Sequence, residues 1–276
     1  MMQIKTIVIK FHYSVWLIFS FLAFLFSCNQ GNSIKEFQND KGQLIVQKWY
    51  SVDKLKSETI YLKSDKSDYI YVAYNQNGRT IDSGRYVNDT ITGFREFYED
   101  KTNLMHFEHY ENGLLNGIHK AVYSGDITSF EGYRKDGFPV GEWKFHYPDG
   151  RMITYEYYDS SGRVKYFKKY DDKGNAVKIT GNGIISVTFP KVSKTLSDTT
   201  ISLVEIAIPD GCEVNIKITQ TETGTEDIIF EKKVNQPCVS FSFISKKEGK
   251  TKLTFQLIFT EKKTGKEELY SLEKNI

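Results

Sequence analysis

Four histidines lie beyond residue 30: His106, His109, His119 and His146. His106 and His109 are three apart, so on a strand they face opposite sides and cannot share one metal ion. No His-Glu-x-x-His helix motif, paired Cys-x-x-Cys, phosphate-cradling loop or Gly-x-Ser-x-Gly elbow occurs. Carboxylates are plentiful, and two of them could meet across strands for glycoside chemistry, but no spacing points to such a pair. The expectation is a chain that is not an enzyme and has no catalytic residue, metal or cofactor. The cysteines are of two kinds. Cys28 follows a long apolar stretch, whereas Cys212 and Cys238 each begin a β-rich segment, with one further segment between them. In an antiparallel path both would fall at the same end of the domain. They are either a disulfide, contributing about 3–4 kcal/mol by loop closure, or two small free thiols in a folded domain.

The elements that position these residues begin with an address. Lys5 and Lys10 give a basic start with no acid before Glu36, and Ser14 to Phe26 is apolar and ends at Ser27-Cys28. That length is short for a membrane span and suits the apolar core of a secretory signal. The Leu25-Phe26-Ser27-Cys28 ending resembles a bacterial lipoprotein box, with Phe26 where a small residue is usual. The resemblance implies cleavage before Cys28, lipidation of that cysteine and near-permanent membrane attachment. The alternative is an uncleaved anchor starting near Ile7, which would have to tolerate Lys10 and His12. Residues 1–27 therefore read as a signal peptide and 28–42, polar and poor in apolar residues, as a flexible tether.

From residue 43 to 180 a beat of about twelve residues organises the chain. Its marks are Lys41-Gly42, Asp53, Asp65, Asn77-Gly78, Asn88-Asp89, Lys101, Asn112-Gly113, Ser124-Gly125, Asp136-Gly137, Asp149-Gly150, Ser161-Gly162 and Lys173-Gly174. Asn-Gly and Asp-Gly favour tight hairpins because both residues accept positive φ. The segments between are rich in Tyr, Phe, Val and Ile and long enough for one strand each. Twelve marks enclose eleven segments, which predicts an elongated up-and-down antiparallel meander. Segments such as Tyr69-Ile70-Tyr71-Val72 are apolar on both faces, so part of the sheet should be covered.

Gly93, Gly117 and Gly141 add a period of 24 residues, within TGFREFY, NGIHKAVY and VGEWKFHY. Here the chain resembles the MORN-repeat family in its bacterial variant form: Tyr, hairpin turn, Gly, an aromatic, then Tyr. The copy from Tyr133 to Tyr147 fits best, and the resemblance covers about residues 84–150. It implies a structural, interaction or membrane-associated role, with an antitoxin role in some bacterial variants. By strand alternation Gly141, Trp143, Phe145 and Tyr147 share one face, and with Tyr123 and Tyr110 they form the candidate binding face. These rings either stack on a ligand such as a sugar or pack the repeats together.

After about residue 181 the beat stops. Candidate strands at 183–189, 200–208, 212–220, 226–234, 238–245, 251–260 and 266–273 suggest an immunoglobulin-like sandwich, by architecture only. The chain as a whole is expected to be all-β. It has 276 residues, of which 39% are hydrophobic and 14% aromatic, which argues against disorder. Removing Lys5 and Lys10 with the leader takes the 37 bases to 35, equal to the 35 acids, so no basic excess argues for nucleic acid. The expected role is an interaction scaffold held by lipid at the bacterial cell envelope, at the outer membrane or cell surface, with an envelope protein as partner. Glycan or peptidoglycan binding, or immunity to a toxin, are the alternatives.

Overall fold

The computed structural model of the protein describes residues 33–189, 200–222, 224–244 and 251–276. The expected signal peptide, Cys28 and the first residues of the expected tether lie outside the described residues. Within them there is no helix, so none is long and apolar enough to cross a membrane. The protein is all-β.

Thirteen strands follow one another in chain order in one antiparallel sheet: β1 (Ile34–Gln38), β2 (Leu44–Ser51), β3 (Lys54–Tyr61), β4 (Asp68–Tyr74), β5 (Thr80–Val87), β6 (Thr90–Glu99), β7 (Leu104–Glu111), β8 (Leu114–Val122), β9 (Thr128–Lys135), β10 (Phe138–His146), β11 (Met152–Tyr158), β12 (Val164–Tyr170) and β13 (Ala176–Gly181). The eleven segments between the turn marks are β2 to β12. The segments outside the first and last marks are strands too. Residues 34–38, expected within a flexible tether, instead pair with β2, Ile34 opposite Lys48 and Gln38 opposite Leu44. The reason is backbone pairing at an open edge: β1 buries no side chain, but an Asn39 loop returns the chain and Lys35 lies over the Trp49 ring at 4.7 Å.

The turn chemistry explains the two periods. At Asn88-Asp89, Asn112-Gly113 and Asp136-Gly137 both central residues have positive φ, which matches the strand twist. At Asn39, Asn75, Asp159 and Asp171 the side-chain Oδ1 instead accepts the backbone N–H groups two and four residues on. Four residues after each tight turn comes the 24-residue glycine, with φ of 71° at Gly93, 132° at Gly117 and 66° at Gly141. Each sits in a bulge that shifts the register by two residues. Tyr110 faces Leu115 but Glu108 faces His119, and Val140 faces Tyr133 but Lys144 faces Glu131.

By contact density the chain divides at Tyr98/Glu99 into two compact units. In the first, Ile45 is the sole buried hydrophobic side chain among the described residues. Cross-strand pairs hold it instead: Arg85 on Asp68, Arg95 on Asp82, and the stacked rings of Tyr69 and Tyr86. Tyr69 to Val72 stay half-buried there.

In the second unit seven further strands form two sheets: β14 (Ile184–Thr188), β15 (Thr200–Ile206) and β18 (Cys238–Phe243) in the order β14-β15-β18, and β16 (Cys212–Glu222), β17 (Thr225–Val234), β19 (Lys252–Glu261) and β20 (Glu267–Asn275) in the order β17-β16-β19-β20. Each strand lies on a candidate segment. Val204, Ile206, Ile216, Phe255 and Leu257 fill the space between the sheets. The same core takes in Tyr155, Tyr157, Tyr166 and Tyr170 from β11 and β12. The change of sheet near residue 181 is thus not a change of core, and this is where the long sheet is covered.

Candidate functional site

Of the expected ladder, Trp143 and Phe145 stack on one face of β10, and Trp143 faces inward. Trp143 is 4% exposed, and its Nε1–H donates to the Tyr133 carbonyl at 3.2 Å. Its ring packs with His119, Phe130, Phe145 and Tyr158 at centroid distances of 5.6–6.2 Å. Gly132 lets this ring lie directly on the neighbouring strand, because a Cβ there would stand 2.6 Å from indole Cγ and closer still to Cδ2 and Cε2. Phe145, Tyr147, Tyr123 and Tyr110 are half-buried. Tyr123 donates to the His146 carbonyl at 3.1 Å, Tyr110 donates to Glu108 Oε2 at 2.6 Å, and Arg151 covers the Tyr147 ring. Trp143 therefore presents no open face on which a sugar could stack.

Beside the ladder stands a cluster that sequence reasoning missed. His106 and Glu108, two apart on β7, share a face, and the Gly117 bulge sets His119 of β8 opposite Glu108. His119 Nε2 is 3.3 Å from Glu108 Oε1, and His106 Nε2 is 3.5 Å from Glu99 Oε2. One donor atom from each of His106, Glu108 and His119 falls within 4.8 Å of the others. Arg134 Nε–H donates to His119 Nδ1 at 2.9 Å, and Arg134 also reaches the Gly137 carbonyl. Burial lowers the His106 pKa, against the pull of Glu99 and Glu108. His109 lies apart, with Nδ1 2.6 Å from the Asn116 carbonyl oxygen. A sequence signal existed. Folding the hairpin about Asn112-Gly113 brings His119 alongside His106 and Glu108, whereas spacing within one strand does not.

A second buried polar group lies where β12 meets the sandwich. Lys168, 1% exposed, is 3.1 Å from Glu268 Oε1 and 3.6 Å from Cys212 Sγ. Tyr166 and Tyr270 both donate to Glu268 Oε2. Burial raises the Cys212 pKa, the direction of an inert thiol rather than a thiolate nucleophile. The disulfide weighed for Cys212 and Cys238 is not formed; both are free thiols. They begin strands of different sheets, Cys212 opposite Glu261 and Cys238 opposite Glu205. Beside Cys238 an open groove of about 260 Å³ runs along Lys232, Lys233, Asn235 and Gln236.

The repeat also carries exposed apolar side chains at fixed places. Leu114 and Phe138, 52% and 60% exposed, each directly follow a tight turn. Phe94 and Ile118 each follow a bulge glycine and are exposed too. Ile118, Tyr133 and Val140 are opposite one another across β8, β9 and β10, so they share one face, and Phe138 lies two residues from Val140 on that face. Comparison with protein-family models and with curated proteins finds no match to this chain.

Proposed function

We propose that the chain is a non-enzymatic scaffold, held by lipid on Cys28 at the bacterial cell envelope, that binds another envelope protein through the face of its repeat sheet. The observation that carries this reading is the apolar patch of Ile118, Tyr133 and Phe138 on one sheet face. A contiguous apolar patch of this kind is a usual mark of protein–protein contact. Tyr133 supplies the large, stiff ring that often anchors such contacts. The lipoprotein-like ending at Cys28 supports the location. The burial of Trp143 removes the main support for sugar stacking, and toxin immunity rests on the family resemblance alone.

The test is affinity capture from native membranes with the wild-type chain and with Ile118→Asp and Phe138→Asp. One partner recovered reproducibly by the wild type and lost from both variants, at unchanged thermal stability, is the expected result. A wild-type chain that recovers no reproducible partner overturns the reading. Cys28→Ala should release the protein from membranes, and its retention at full length would refute the lipid anchor.

A further inference from the structure

We propose that Glu99, His106, Glu108 and His119 form a binding site for a divalent transition-metal ion of the zinc class. The inference is independent of the scaffold reading. Zinc bonds of about 2.0–2.1 Å to nitrogen and oxygen in a tetrahedron place neighbouring donors about 3.3–3.4 Å apart. The two donor pairs here stand close to that edge length, Glu99 Oε2 to His106 Nε2 at 3.5 Å and Glu108 Oε1 to His119 Nε2 at 3.3 Å. His106, Glu108 and His119 already bring one donor atom each within 4.8 Å of one another, and Glu99 stands against His106 as the fourth donor. Two imidazoles and two carboxylates suit zinc and its first-row neighbours, whereas calcium and magnesium prefer oxygen alone. Two carboxylates also neutralise a divalent ion. The neutralised site would be walled by Phe130, 4.9 Å from the His119 ring and 5.9 Å from the His106 ring, and by Trp143.

The outer groups define how binding proceeds. Tyr110 O–H, donating to Glu108 Oε2, fixes that carboxylate with Oε1 turned to His119. Arg134 does the opposite for His119. Its Nε–H occupies Nδ1, which leaves the ring proton on Nε2, the atom that must bind the metal. Metal binding therefore requires the proton to move from Nε2 to Nδ1 and Arg134 to release the ring while keeping the Gly137 carbonyl. Arg134 acts as a brake on the site. A glutamine there could accept the Nδ1 proton and would reverse the effect.

The experiment uses the untagged full-length protein, stripped of metal by a chelator and titrated with Zn2+ and with Co2+. The expected results are one Zn2+ per chain, a rise in unfolding temperature, and the intense visible bands of tetrahedral Co2+. His106→Phe and His119→Gln should each weaken Zn2+ binding at least about tenfold, and Arg134→Gln should tighten it about tenfold, the scale of outer-shell changes. Absence of saturable Zn2+ binding by the wild-type protein overturns the proposal, even if the histidine variants fail to fold. So does unchanged affinity in folded His106→Phe and His119→Gln, or an Arg134→Gln protein that binds more weakly.

Discussion

Gly132→Ala should destabilise the protein more than its single methyl suggests, because the space it needs is already filled by Trp143. The new Cβ would stand 2.6 Å from indole Cγ and nearer to Cδ2 and Cε2, so the ring must move. It cannot swing outward cheaply. Its Nε1–H is bonded to the Tyr133 carbonyl, and His119, Phe130, Phe145 and Tyr158 hold its sides. Overpacking costs about 1–3 kcal/mol, and loss of the indole hydrogen bond adds about 1 kcal/mol. The expected total is about 2–4 kcal/mol. Gly141→Ala is the control: it lies in β10, the strand of Trp143, but a Cβ there meets nothing within 4 Å. It should cost only the left-handed backbone penalty at φ 66°, about 1–2 kcal/mol. Urea denaturation with a Gly132→Ala/Trp143→Ala cycle reads both quantities. The pair should be strongly non-additive, because Trp143→Ala removes the clash. A Gly132→Ala protein as stable as wild type, or an additive cycle, would refute the packing argument.

Lys168→Met should cost about 3–5 kcal/mol, because it strands the Glu268 carboxylate at a covered interface, and Lys168→Met/Glu268→Gln should recover most of that in the same denaturation assay. The Asp68 carboxyl is held below its usual range by its hydrogen bonds from Arg85, so its stabilisation is present above about pH 4 and lost as pH falls further. Asp68→Asn should flatten stability against pH in that acid range, and a profile unchanged from wild type would count against the pair. Burial lowers the His146 pKa, so the neutral ring is favoured in the folded state, and stability falls as pH drops from about 6.5 through the folded value. His146→Phe should reduce that slope, to which His106 contributes in the same direction, measured as unfolding midpoint between about pH 7 and pH 5. Cys238, exposed, should react with maleimide well before Cys212, whose thiol is half-buried and raised by burial, and the intact mass should not change with reductant.

The marks Asn112-Gly113 and Asp136-Gly137 made the meander legible because a tight antiparallel turn needs residues that tolerate positive φ at fixed places. The face of Trp143 and Phe145 followed from strand alternation alone. The outer strand β1 was not legible, since an edge strand can be held by backbone hydrogen bonds without an apolar pattern. Register was the other gap. The bulge at Gly117 slides β8 by two residues against β7, which preserves the face of His119 but changes its partner to Glu108. Within VKYFKKY nothing sets Lys168 apart from its neighbouring lysines, and only the sandwich strands packed over β12 make it a buried ion-pair partner. Nor does pattern alone tell that the sandwich and β11–β12 share one core, because contact across layers leaves no periodicity.

The most direct test of the binding face is site-specific photo-cross-linking in native membranes. A benzophenone-bearing residue replaces Ile118 in one protein and Val177 in another. Val177 is equally exposed, at 57%, but lies on β13, away from the Ile118–Tyr133–Val140 row. The scaffold account predicts one discrete adduct from position 118 and none from position 177. No adduct from position 118, or the same adduct from both positions, would contradict it.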